Sequence, residues 1–416
     1  MRNTIGKVAV VATSVALLAA CSSGTTEETP SSAAPAASES EAAIDATGLT
    51  LTVWVDENRK PAVEAAAEQF ETDTGATVEL VQKNFEDIRT DFLAQVPTGK
   101  GPDITIGAND WLGELVEAGV VNTVDLGDKA GSFEQVALDA LTLDGQLYGV
   151  PFFSEAIALI ANMDLVADEA PATWDDMIAM GEESGANRPV VFTTSMGDGD
   201  AYHLYPVQTS FGAPVFAQDD TGAFIPEVAM GGENGEAFAT WLSEQAEAGN
   251  VSANLDNETA YELFASGKSP YIITGPWAMT IGGFDGLDMQ VYPVPGAGDE
   301  QAAPFVGVQG FYVSSQSENT LLANEFLTNY MATQEAQQTL YDLDPRIPVF
   351  EGVGSDDKPW LQGFVDAAAQ GVLLPSIPEM GEVWSRWNAA ESKIINGADP
   401  VKTWNAFVTD LEKAIS

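Results

Sequence analysis

The sequence predicts a layered α/β protein with room for two domains, and three observations carry that reading. The chain has 416 residues, 45% of them hydrophobic, which is enough to bury a substantial core and more than one domain usually holds. From Leu51 onward, stretches of strand-like alternation take turns with stretches of helical periodicity. Their order is strand, helix, strand, helix, strand, the pattern of a sheet with covering helices.

Each element has its own warrant. Leu51, Val53 and Val55 alternate with Thr52 and Trp54, a strand. Pro61 then opens a helix in which Val63, Ala66, Ala67 and Phe70 share one face, and Gly75 ends it. Val78 and Leu80 mark a second strand. Phe85, Ile88, Phe92 and Val96 form a second core-facing helical stripe, and residues 103–108, "DITIGA", read as a third strand. Asp144-Gly145 between two alternating runs predicts a two-residue hairpin. Thr173, with Asp176 three residues on, predicts a helix start close to a capping box, although Glu or Gln is the usual partner. "YIITGPWAM", residues 271–279, begins as a buried strand and stops at Gly275-Pro276-Trp277. At the C-terminus Trp404, Phe407, Val408, Leu411 and Ile415 have the spacing of a core-facing helix.

Charge and the N-terminus bound the setting. Against 16 Lys and Arg stand 63 Asp and Glu, a formal net charge of -47, which repels phosphate backbones and anionic lipid. Nucleic acid is therefore excluded as a partner. Arg2 and Lys7 precede an uncharged run from Val8 to Ala20, shorter than the roughly 20 residues of a spanning helix and typical of a signal peptide. Residues 1–20 are read as that peptide. The run ends in Leu18-Ala19-Ala20-Cys21, which resembles a bacterial lipoprotein box, so Cys21, the sole cysteine, is the expected lipidation site and the anchor to the membrane. Residues 21–49, rich in Ser, Thr, Ala, Pro and Glu, are read as a disordered tether. The expected location is extracytoplasmic, on the outer face of the cytoplasmic membrane.

Catalytic signatures are largely missing. One histidine, His203, and no cysteine after Cys21 argue against His- or Cys-rich metal sites and leave a Ser-His-Asp triad dependent on one imidazole. HExxH, P-loop and GxGxxG motifs do not occur, and "GVGSD" near residue 352 lacks the glycine spacing of a nucleophile elbow. No metal, cofactor or catalytic residue is expected. A glycosidase remains an alternative, because it needs only two carboxylates about 5 to 9.5 Å apart.

From Leu51 to the end the chain resembles the maltose/maltodextrin-binding proteins of ABC importers. The matching stretches, in the family's order, are "LTVWV", "FETDTG", "TGKGPDI", "YGVPFFSEAIALIANMDLV", "PATWDDM", "ITGPWAM", "PFVGV", "NEFLTNYM" and "IPEMGEVW". The resemblance implies a periplasmic-binding-protein fold: two α/β lobes with a ligand cleft and three crossings, near Glu155, near Gly307 and around residue 354. The N-terminal lobe would comprise 50–154 and 307–353, and the C-terminal lobe 155–306 and 354–416. It implies a monomeric receptor that captures maltose or maltodextrin by hinge closure and delivers it to the permease. Receptors for another α-linked oligosaccharide, such as trehalose or a branched glucan fragment, and a surface glycosidase are the alternatives.

The site residues follow from the same resemblance. Trp277 occupies the position whose indole lies flat on a pyranose, where a rigid aromatic meets the apolar C–H face of the ring; the alternative is a core aromatic closing the strand. Trp384 matches a second stacking position. Tyr202 matches a sugar-contacting Tyr, Asp200 stands in place of a family Glu, and Tyr205 has packing as its competing reading. Asp110 and Glu155 fall on carboxylates that accept from sugar hydroxyls, and Asn58 and Arg59 fall in a polar cluster. Two departures stand out. Gly107 and Trp111 replace a Trp and an Arg of the family's best-known member, so Trp111 is the aromatic expected on that loop. Asn388 stands where an Arg is expected, which makes nearby Arg386 the candidate.

Overall fold

The structure is a computed structural model that describes residues 45–416 apart from Asp356, with the Met196 side chain also left out. The signal peptide, Cys21 and nearly all of the expected tether lie outside the described residues. The last five tether residues do not. Ala46 is buried, and its N–H donates to the Thr74 carbonyl at 2.8 Å, which satisfies an acceptor at a helix end. The packed domain therefore starts a few residues earlier than residue 50, because a small apolar side chain fits against that helix terminus.

Three parallel strands open the fold: β1 (Thr50–Val55), β2 (Thr77–Gln82) and β3 (Ile104–Ala108), with β1 between the other two. Helix α1 (Lys60–Thr74) buries the predicted face of Val63, Ala66, Ala67 and Phe70, has Pro61 in its first turn, and ends on Gly75 at φ 73°. Helix α2 (Phe85–Gln95) buries Ile88 and Phe92; Phe85, expected on that face, is only half-buried. Helix α3 (Leu112–Glu117) follows β3 after one short turn. Asp144 and Gly145 take φ of 52° and 73° between two paired two-residue strands, as a type I′ hairpin requires.

Strand β4 (Gly149–Ala156) is buried along its whole length. After Ile157 the chain enters β5 (Ala158–Asn162), the centre of a separate three-stranded antiparallel sheet with Tyr271–Thr274 and Met289–Tyr292. Back in the large sheet, the strand Phe305–Ser314 is wholly buried and pairs antiparallel with both β3 and β4. Its register against β4 shifts between Gln309 and Gly310, a bulge in the pairing. One core cluster runs from Ala46 to Phe153 and resumes at Val308, while Ile157, Phe305, Trp387 and Trp404 belong to another. The chain thus passes from one core to the other around Ala156 and again around Gly307.

Helix Trp174–Glu183 starts as expected, with Thr173 Oγ1 accepting from the Asp176 N–H at 3.1 Å. Asp176 does not complete a capping box: its carboxylate accepts from the Thr173 hydroxyl at 2.8 Å, being too short to reach back to the cap N–H. The C-terminal helix Pro400–Ala414 buries Trp404, Phe407, Val408 and Leu411, and Ile415 lies just beyond it.

Candidate functional site

A cleft of about 760 Å³ opens at the carboxyl ends of β1, β2 and β3, the end of a parallel sheet where ligands are commonly held. The segments leaving those strands supply one side: Asn58 and Arg59 after β1, Phe85 and Glu86 after β2, Asp110 and Trp111 after β3. Tyr202, Trp277 and Trp384, which open helices or helical turns, supply the other.

The Gly-Pro-Trp element shows why the strand Tyr271–Thr274 ends where it does. A Cβ on Gly275 would stand 2.0 Å from the Trp277 ring, so only glycine lets the indole fold back over the backbone. Trp277 is half-buried, faces the cleft, and donates from Nε1 to the Tyr261 hydroxyl at 3.0 Å. Trp384 stacks on buried Trp387, with centroids 5.8 Å and planes 10° apart, and its Nε1 donates to Asp110 Oδ2 at 2.9 Å. Tyr202 lies between them, 6.3 Å from Trp277 and 6.2 Å from Trp384. Burial first, then the Glu155 and Asp110 carboxylates, holds its phenol protonated, and so a donor, well above the ordinary range. These three rings form one connected aromatic wall.

The floor is ionic. Arg59, 3% exposed, donates from Nη1 to Asp56 at 2.7 Å and from Nη2 to Gln309 at 2.9 Å. Gln309 donates to Glu155 at 3.1 Å, and Arg346 binds both Glu155 and, at 2.8 Å, Asp344. Both guanidiniums lie near the Phe153 ring, 4.9 and 4.6 Å from its centroid. Burial lowers the Arg59 pKa and Arg346 lowers it further; burial also acts against Arg346, but Glu155 and Asp344 outweigh it and raise that pKa. Asp110, 6% exposed, is pushed up to about 6 by burial, against the opposing pull of the Trp384 bond and Arg89.

Other expected positions fall differently. Asp200 lines the cleft and caps the helix Ala201–Ser210: it accepts from the His203 N–H at 3.2 Å and shares a 2.9 Å hydrogen bond with His203 Nδ1. Asn58 lines the cleft half-buried. Arg386 does not join them. It sits on the outer face of helix Trp384–Ile395, bound to Glu382 and, at 3.0 Å, to Asp410, because two residues beyond Trp384 a helical side chain points away from the cleft. Asn388 is the cleft residue there, and its Oδ1 accepts from the Ala201 N–H at 3.0 Å. Tyr205 is fully buried and stacked 3.5 Å from Phe305. Sequence reasoning missed Arg346 and the cleft position of Phe85. The signal for Arg346 was "DPRIP", an arginine confined between prolines beside an acid.

Residues 65–364 match the family model described as bacterial extracellular solute-binding protein. The chain belongs to that family. Among relatives in this group, a galactooligosaccharide-binding protein of Bacillus subtilis is 24% identical over 374 residues, 87% of this chain and 88% of the relative. A maltotriose-binding protein of Pyrococcus abyssi is 27% identical over 340 residues, 76% of this chain and 71% of the relative. The solved structure of a Thermus thermophilus maltotriose-binding protein with maltotriose bound superposes with a TM-score of 0.79 at 29% identity, covering 88% of this chain and all of that one. Members of this family bind solutes outside the cytoplasm, and the cleft is where this fold offers room for one.

Proposed function

We propose that the protein is the substrate-binding component of a carbohydrate ABC importer, anchored through Cys21, and that its cleft takes an α-linked glucose oligosaccharide. The observation that carries the reading is one cleft lined by the aromatic wall of Tyr202, Trp277 and Trp384 together with the Asp110 and Glu155 carboxylates. Flat rings cover the apolar faces of pyranoses, and carboxylates accept from their hydroxyls at about 1.5–3 kcal/mol per bond. Relatives named for maltotriose support the glucan assignment.

The lobes 50–154 with 307–353 and 155–306 with 354–416 swing about three crossings, near Glu155, near Gly307 and around residue 354. Sugar bridging polar groups mainly on the first lobe and rings mainly on the second favours the closed form, which a permease then reads. The sugar leaves unaltered. Asn58, Trp111 and Asp200 contribute to the site, and Arg346 replaces Arg386 as the arginine that shapes it.

Calorimetry against maltose, maltotriose, maltotetraose, trehalose and galacto-oligosaccharides tests the reading. Saturable binding of the glucans near −8 kcal/mol, a micromolar constant, is expected. Preference for the galacto-oligosaccharide would move the assignment from glucans to galactosides, in line with the name of the Bacillus subtilis relative. New reducing ends on prolonged incubation would make the protein a glycosidase.

A further inference from the structure

Behind the aromatic wall lies a buried acid that the sugar site does not use. Glu391, on helix Trp384–Ile395 one turn beyond Trp387, is 0% exposed. Among the described residues neither of its carboxyl oxygens meets a hydrogen-bond partner, and nor does the indole N–H of Trp387. The loop 195–200 lies over the same stretch of helix. Asn388 Oδ1 accepts from the Ala201 N–H at 3.0 Å, the Ser392 hydroxyl donates to the Gly197 carbonyl, and a Cβ on Gly199 would stand 2.0 Å from the Asn388 carbonyl oxygen. Ser195, Gly197 and Gly199 take left-handed backbone, at φ 47°, 102° and 88°. The loop ends in Asp200, which lines the cleft together with Tyr202. Burial first, then the Asp200 charge, raises the Glu391 pKa well above the usual carboxylate range, against an opposing pull from Trp387.

We propose that Glu391 is a proton-operated release for the loop 195–200: while neutral it lets the loop lie on the helix with Asp200 and Tyr202 set for the ligand, and on ionising it drives the loop off and loosens the cleft. A carboxylate cannot stay where the neutral group sits, because no donor is aimed at it and the Asp200 charge acts on it. Moving the loop is the nearest way to let water in, since two hydrogen bonds tie the loop and the residue after it to this helix among the described residues. Packing alone gives no reason for a glutamate here. A leucine would fill the space without an unpartnered polar group, so what the acid adds is a change of charge. The surrounding elements bring Asp198 and Asp200 on the loop, His203 and Tyr205 on the helix after it, Glu236 bonded to Asn405, and Asp410 bonded to Arg386. Of these, Asp200 is the one whose charge raises Glu391. Because the folded protein holds this proton more tightly than the unfolded chain, the stability the group contributes is greatest at low pH and falls as the pH rises. The inference takes its ligand from the carbohydrate reading above; the release itself does not depend on that reading.

The test compares wild type, Glu391→Gln and Glu391→Leu between pH 7 and 9, above the range near 6 in which Asp110 titrates, with circular dichroism checked at each pH. Maltotriose affinity by calorimetry is expected to fall about tenfold across that range in wild type, within the limit of about tenfold per pH unit that a single proton sets, and to stay level in both variants. Tryptophan fluorescence of the unliganded wild type should titrate over the same interval, and that of the variants should not. Glu391→Leu keeps the test open if Glu391→Gln fails to fold, and it should raise the unfolding midpoint. A wild type that is level in both signals, or variants that lose affinity as steeply as wild type does, would overturn the release and leave the carbohydrate reading in place. A fluorescence titration seen in wild type alone, with no sugar bound at any pH, would support the release and overturn the carbohydrate reading.

Discussion

The floor of the cleft and its aromatic wall are built from different materials and held by different forces. On the floor, Arg59 and Arg346 are each 3% exposed, and their terminal nitrogens are taken up by Asp56, Gln309, Glu155 and Asp344. On the wall, Trp277 and Trp384 are only half-buried, each with its indole N–H bound and a face left toward the cleft. Damage to the floor should therefore appear first as lost stability, and damage to the wall as lost affinity. Asp110 belongs to both, since it is buried on the first side yet accepts a hydrogen bond from Trp384.

The largest effect should come from Arg346→Met. It leaves Glu155 and Asp344 buried without their main cation, and such broken buried pairs cost about 3–5 kcal/mol. Denaturant unfolding should show a loss of that size; a loss below about 1 kcal/mol would mean that the network is not the structural floor described. Next comes Trp277→Ala, expected to cost about 2–4 kcal/mol of sugar affinity, by calorimetry, with the unfolding midpoint little changed. An unfolded variant would place Trp277 with the floor instead of the wall.

Asp110 sharpens the comparison through pH. Its pKa is raised by burial from 3.8 to about 6, so the folded protein holds a proton there that the unfolded chain releases. Folding stability contributed by this group is thus highest below pH 4 and falls as the pH rises toward 6, by about 2–3 kcal/mol in all. Asp110→Asn should remove that slope, raise stability at pH 7 and weaken sugar binding. An unchanged slope between pH 4 and 6 would mean that another group titrates. The smallest effect belongs outside the cleft: Thr173→Ala removes a helix cap and should cost about 1 kcal/mol of stability with no change in affinity.

Local elements were legible because their signals are local. The α1 stripe from Val63 to Phe70, the Asp144-Gly145 turn and the Thr173 cap all depend on neighbours within a few residues, and the structure shows each. Trp277 and Trp384 were reached through resemblance and do face the cleft, but their hydrogen-bond partners were not foreseeable. Trp384 and Asp110 are 274 positions apart, and Arg346 and Glu155 are 191 apart. Phe85 packs against the core as its spacing predicts, but helical periodicity does not register that the first turn of α2 also emerges beside Trp111 at the end of the sheet. Arg386 was named for proximity in sequence to Asn388, and two steps along a helix point nearly opposite ways.

Intrinsic tryptophan fluorescence titrated with maltotriose at pH 7 bears most directly on the central claim, because Trp111, Trp277 and Trp384 all line the cleft. A saturable change is expected in the wild type and is largely lost in a Trp277→Ala variant with native circular dichroism. No change in the wild type, or an undiminished one in the variant, would contradict it.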